Sequence, residues 1–123
     1  MVILKKTTLV IGASLNESRY SNKVIKKLVD LKFRVFAIGK KTGEAHGIKI
    51  HNTISSKIKI DTVSIYINSS LQKLYIDFII NLSPKRVIFN PGTENTEIFK
   101  LLSSKGIYCE NSCTLVLLST NQY

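Results

Sequence analysis

Short apolar runs that end in small or polar residues alternate with helically patterned segments along this 123-residue chain, and that alternation leaves few folds open. Residues 7–13 form a first run, apolar enough to suit a strand buried on both faces. From Ser21, the expected N-cap, Val24, Ile25, Leu28 and Val29 recur at helical spacing against Lys23, Lys26, Lys27 and Asp30. Residues 33–38 give a second strand, the basic stretch 39–43 a loop, and residues 47–51 a short extended excursion. Residues 62–67 read as strand three, and Leu71, Leu74, Tyr75, Phe78, Ile79 and Leu82 trace one face of a helix that Pro84 closes. Strand four covers residues 86–89. A helix through Ile98, Leu101 and Leu102 stops at Gly106, strand five covers residues 107–109, and the tail 114–118 packs against the sheet.

Strands separated by helices require right-handed crossovers, hence a parallel sheet covered on both faces. The expectation is one α/β domain over residues 1–123: a doubly wound, Rossmann-like parallel sheet of five strands in the order 3-2-1-4-5. In that order the chain reverses direction between strands one and four, and ligands of such sheets settle beyond the carboxyl ends at that point. Two special turns would arrive there, Gly12-Ala13-Ser14 after strand one and Asn90-Pro91-Gly92-Thr93 after strand four. The first has the chemistry of an anion site. Glycine permits close backbone approach, serine adds a donor, Arg19 precedes the helix, and the helix start aims unpaired N–H groups outward.

Composition narrows the partner. Eighteen basic side chains against eight acidic ones give a formal charge of +10, which attracts anions of every kind. The lysines are spread along the chain, and no nucleic-acid-binding motif accompanies them, so nucleic acid is a disfavoured partner. No apolar stretch has the length of a membrane helix or the form of a signal peptide, so the expected location is cytoplasmic, with no membrane partner. Cys109 and Cys113 lack the companion ligands of a zinc site, and free thiols with no bound metal are expected. A dinucleotide dehydrogenase would carry G-x-G-x-x-G after strand one and an acidic residue after strand two. This chain has neither, and strand two ends in Gly39-Lys40-Lys41 instead. Lysine there suits a ribose bearing a phosphate, as in NADP or coenzyme A; a plain solvated turn accounts for the same residues.

Gly12-Ala13-Ser14 with Arg19-Tyr20-Ser21, the turn Ala37-Ile38-Gly39-Lys40, the segment Phe89-Asn90-Pro91-Gly92-Thr93-Glu94 and the ending Cys113-Thr114-Leu115-Val116 together resemble the compact CoA-binding protein family. Its fold is similar to the nucleotide-binding domain of the succinyl-CoA synthetase alpha subunit. The resemblance runs from about Thr8 to the C-terminus. It implies that Gly12, Ala13 and Ser14 hold the CoA diphosphate, that Arg19 pairs with its oxygens and that Lys40 approaches the phosphorylated ribose. Asn90, Pro91, Gly92 and Thr93 would border the pantetheine arm or diphosphate from the other side. A mechanical reading of that last turn stands beside this one: proline and glycine end strand four, and Thr93 caps the next helix.

No catalytic group emerges. His46 and His51 have no orienting partner in the sequence, and Glu94 and Glu97 are accounted for by the dipole of the helix they open. Cys113 alone invites a reactive reading, as a thiol near the end of the CoA arm able to exchange with the CoA thiol. The leading expectation is a stand-alone CoA or acyl-CoA binding protein without catalytic machinery. A small NADP-binding oxidoreductase subunit and a basic nucleic-acid-associated protein are the alternatives, and a homodimer is the commonest assembly.

Overall fold

The computed structural model describes residues 6–123; the first five residues of the expected domain lie outside the described ones. Seven strands form one sheet: β1 (Thr7–Ile11), β2 (Arg34–Ile38), β3 (Gly43–Ala45), β4 (Ile48–His51), β5 (Thr62–Ile65), β6 (Arg86–Phe89) and β7 (Tyr108–Asn111), in the order β3-β4-β2-β1-β5-β6-β7. All neighbouring pairs are parallel except β3 with β4. The α/β class and the largely parallel sheet agree with the sequence. The five-stranded order 3-2-1-4-5 does not.

The physical reason lies in residues 43–51. The stretch expected as a loose excursion folds into a hairpin whose second strand, β4, joins β2 in parallel through Ala37 with Ile50 and Ile38 with His51. It fills the outer position assigned to residues 62–67. Those residues, as β5, instead pair with β1 on its other edge, Thr8 opposite Thr62 and Ile11 opposite Ile65. All four β5 residues are buried, as a central strand demands. The chain therefore reverses direction between β1 and β5, and β6 stands two strand spacings, about 10 Å, from β1.

Alternation along the strands sends side chains to two cores. Leu9, Ile11, Val63, Ile65, Val87 and Phe89 pack on one face. Val10, Val35, Ala37 and Ile50 pack on the other with Val24, Ile25 and Leu28 of α1 (Tyr20–Asp30) and Leu118 of α4 (Thr114–Ser119). The first face is covered by α2 (Ile76–Leu82), α3 (Thr96–Ser104) and Ile54, Ile58 and Ile60 of the loop after β4. The long helix expected from Leu71 onward is a 3₁₀ segment, Ser69–Tyr75, that becomes α-helical only at Ile76. Leu74, counted on its apolar face, is 72 % exposed as a result. Gly106 stands where expected, left-handed just beyond α3, with Ile107 N–H bonded back to the Leu102 carbonyl. No described helix is long and apolar enough to cross a membrane.

Candidate functional site

Three backbone segments meet where β1, β2 and β5 end. Gly12 is left-handed at φ +94°, and a Cβ there would lie 2.9 Å from both Ile67 Cγ2 and the carbonyl carbon of Tyr66. Gly39 would bring a Cβ to 2.3 Å from the Ala13 carbonyl oxygen. Both glycines thus use their missing side chains to let protein backbone approach protein backbone. This contact places Gly12, Ala13 and Ser14 beside Gly39 and Lys40.

The donors differ from expectation. The N–H groups of Gly12 and Ala13 both donate to the Ile38 carbonyl at 2.9 Å, so neither is free for an anion. Beyond them the loop is tied by its own side chains. Ser14 Oγ accepts from Asn16 N–H at 3.1 Å, and Asn16 Oδ1 accepts from the N–H and hydroxyl of Ser18 at 3.0 and 2.7 Å. Arg19 N–H donates to the Asn16 carbonyl, and Arg19, not Ser21, occupies the N-cap position of α1; Ser21 is buried in the first turn. No side chain caps this helix. Among the described residues the N–H groups of Ser14, Leu15, Glu17, Tyr20 and Ser21 have no partner. They are the donors this corner offers.

Two cations border it. Arg19 and Lys40 are exposed, and among the described residues neither has a carboxylate within ion-pair reach. The Lys40 turn is held from below by Asn52, whose Nδ2 donates to the Gly39 and Lys40 carbonyls at 3.1 and 3.0 Å. A shallow depression of about 400 Å³ lined by Thr42, Gly43, Glu44, Lys49, Ile50 and His51 opens near this turn.

The second corner is built otherwise. Asn90 is 1 % exposed, with Nδ2 donating to Ser64 Oγ and the Ile65 carbonyl and Oδ1 accepting from Thr114 N–H, all at 2.9 Å. Pro91 and Gly92, the latter at φ +90°, form a turn closed by Thr93 N–H on the Asn90 carbonyl. Thr93 does not cap α3: its hydroxyl donates to the Asn90 carbonyl at 2.7 Å, and Asn95 is the cap, accepting from Ile98 N–H at 3.1 Å. Only Pro91 and Gly92 of the four face solvent. The two corners are held apart by the extension of β5. Gln72, 2 % exposed, bridges that gap by donating to the Ile67 and Thr93 carbonyls at 3.2 and 2.6 Å.

Tyr66, Ile67 and Gln72 were missed at the sequence level because residues 62–67 were placed at the sheet's edge. The signal was present: this strand also runs out into small polar residues, Asn68-Ser69-Ser70. Burial pushes the Tyr66 phenol above its ordinary value, opposed by hydrogen bonding with Ser64 and Thr114. Burial likewise pushes the Cys109 thiol up. Cys113 is a half-buried free thiol at the start of α4. His46, expected without a partner, has Nε2 2.6 Å from Asn22 Oδ1.

Solved structures share this architecture. A crystal structure of an uncharacterised protein is 40 % identical with a TM-score of 0.92, the match covering 96 % of this chain and 98 % of the other. A hypothetical protein from Pyrococcus horikoshii OT3 is 26 % identical with a TM-score of 0.82, covering 90 % of this chain and 80 % of its own. The dinucleotide-forming acetyl-coenzyme A synthetase 1 of Ca. Korarchaeum cryptofilum has the same fold over 86 % of this chain and 26 % of that enzyme, at 20 % identity and a TM-score of 0.71. A comparison with curated proteins finds no match. The family described as the CoA binding domain matches residues 6–119, nearly the whole chain, and the chain belongs to that family.

Proposed function

We propose that this protein binds coenzyme A or an acyl-CoA in the crevice beyond the ends of β1 and β5, as a ligand-binding module that brings no catalytic group of its own. The observation that carries the reading is the β1–α1 corner: an uncapped helix start and open N–H groups, flanked by Arg19 and Lys40 without carboxylate partners. Such a corner suits a diphosphate. Arginine offers a planar fork to the phosphate oxygens, and lysine supplies a compact charge to a phosphate on the ribose. Ser14 and Leu15 N–H would face the diphosphate, with Gly12 and Ala13 setting the backbone path. The depression near Lys40 has room for the adenine end. Asn90 and Thr93 would shape the far wall from within, leaving Pro91 and Gly92 to border the pantetheine arm.

The test is calorimetric titration with CoA, dephospho-CoA and NADPH on wild type, Arg19→Ala and Lys40→Glu. CoA is expected to bind, NADPH to compete poorly, and each substitution to weaken CoA about tenfold, as loss of a charge-assisted contact does. Lys40→Glu should also abolish the preference for CoA over dephospho-CoA. Equal affinity of wild type for the two ligands would remove Lys40 from the site. Saturable NADPH binding that CoA does not displace would replace the reading with a dinucleotide one.

A further inference from the structure

The β3–β4 hairpin turns through His46 and Gly47, both left-handed at φ +53° and +83°. A two-residue hairpin turn of this kind favours glycine, asparagine or aspartate at its first position, and histidine is one of the few larger side chains that take up such a left-handed backbone. Histidine stands there, and its ring reaches α1. Its Nε2 lies 2.6 Å from Oδ1 of Asn22, a residue 3 % exposed, and Asn22 Nδ2 donates to the Ser14 carbonyl at 2.9 Å. The order of donors is fixed by chemistry. A carbonyl only accepts, so the Asn22 amide nitrogen must face Ser14; its oxygen then faces His46, and Nε2 carries the proton.

This relay ends on one peptide group. In a trans peptide the C=O and the following N–H point in opposite directions, and no cis peptide is present among the described residues. With the Ser14 carbonyl drawn toward Asn22, the Leu15 N–H is turned the other way, and it is one of the donors without a partner among the described residues. Rotation of that peptide would present a carbonyl where the anion is to sit. We infer that His46 is a positioning residue for anion recognition: acting through Asn22, it locks the Ser14–Leu15 peptide with its N–H toward the ligand. The inference rests on the CoA reading for the ligand's identity, but not for the relay.

Two variants test it. His46→Gly suits the left-handed turn and removes only the ring; His46→Gln restores an amide nitrogen near the position of Nε2. His46→Gly is expected to stay folded, the relief of a left-handed side chain offsetting part of the lost Asn22 hydrogen bond, yet weaken CoA about fivefold, the scale of one hydrogen bond, and His46→Gln to recover affinity to within about twofold. In the ligand-free proteins the Leu15 amide resonance should be broadened by microsecond–millisecond exchange in His46→Gly and sharp in wild type and His46→Gln. Unchanged CoA affinity in His46→Gly together with a sharp Leu15 signal overturns the relay, as does a loss of affinity that His46→Gln fails to recover. If wild type does not bind CoA at all, the functional reading falls, and the ligand-free Leu15 signal still decides the relay.

Discussion

The two glycine-containing corners of the sheet solve different problems. The one after β1 closes backbone on backbone at Gly12 and Gly39, ties its own loop through Ser14, Asn16 and Asn22, and keeps its charged side chains, Arg19 and Lys40, out in solvent. The one after β6 is knitted by side chains: Asn90 alone holds Ser64, Ile65 and Thr114, and Thr93 folds back on Asn90. A corner that spends its polar atoms internally is a structural joint. The corner that leaves N–H groups and cations open is the one the proposed reading gives to the ligand. The sequence presents both as glycine turns at strand ends, and only the partners of the polar atoms tell them apart.

The sharpest break is expected at Asn90. Asn90→Ala leaves the buried Thr114 N–H without its acceptor and takes a donor from both Ser64 Oγ and the Ile65 carbonyl, and should cost about 3 kcal/mol, read by chemical denaturation. A cost below 1 kcal/mol would return Asn90 to the ligand's side of the comparison. Next is Gly39→Ala, whose methyl group would collide with a backbone carbonyl rather than a movable side chain; overpacking of this kind should cost about 2 kcal/mol. Because the displaced atom belongs to Ala13, CoA affinity should fall with it, whereas Asn90→Ala should act chiefly on stability.

A third effect is set by alkaline pH. Burial raises the folded-state values of the Tyr66 and Tyr123 phenols above the ordinary 10.0. Below that value both folded and unfolded states are protonated, and stability does not change on their account. Above it the unfolded chain releases the protons first, so stability should fall by about 1.4 kcal/mol per pH unit for each phenol until the folded form also ionises. Tyr66 is tied to the same Ser64 and Thr114 that serve Asn90, so its share of that loss is felt at the knitted corner. Tyr66→Phe should remove about half of that slope, and an unchanged slope would exclude Tyr66 as a source.

Apolar runs and helical spacing made the alternation legible, because long-range packing rewards the same periodicities that appear locally. Strand order was lost on a four-residue strand: Ile48–His51 buries only Ile50, too little for a pattern to declare itself. Moving that strand displaced β5, and with it the contact of Tyr66 and Ile67 on Gly12. Gly12 and Lys40 could be picked out from residue type and position. The internal ties of Asn22, Asn52, Gln72 and Asn90 could not, since an amide declares neither its donor nor its acceptor until distant backbone arrives.

The three-residue antiparallel strand at the rim carries one more consequence. A parallel sheet that ended on β4 would expose a ladder ready to template another chain, and β3 occupies that ladder with a segment of its own. What it offers outward is a stub of Gly43, Glu44 and Ala45, with a charge at its centre, on which a growing assembly finds little to extend. The hairpin that carries His46 therefore also blunts this edge of the sheet.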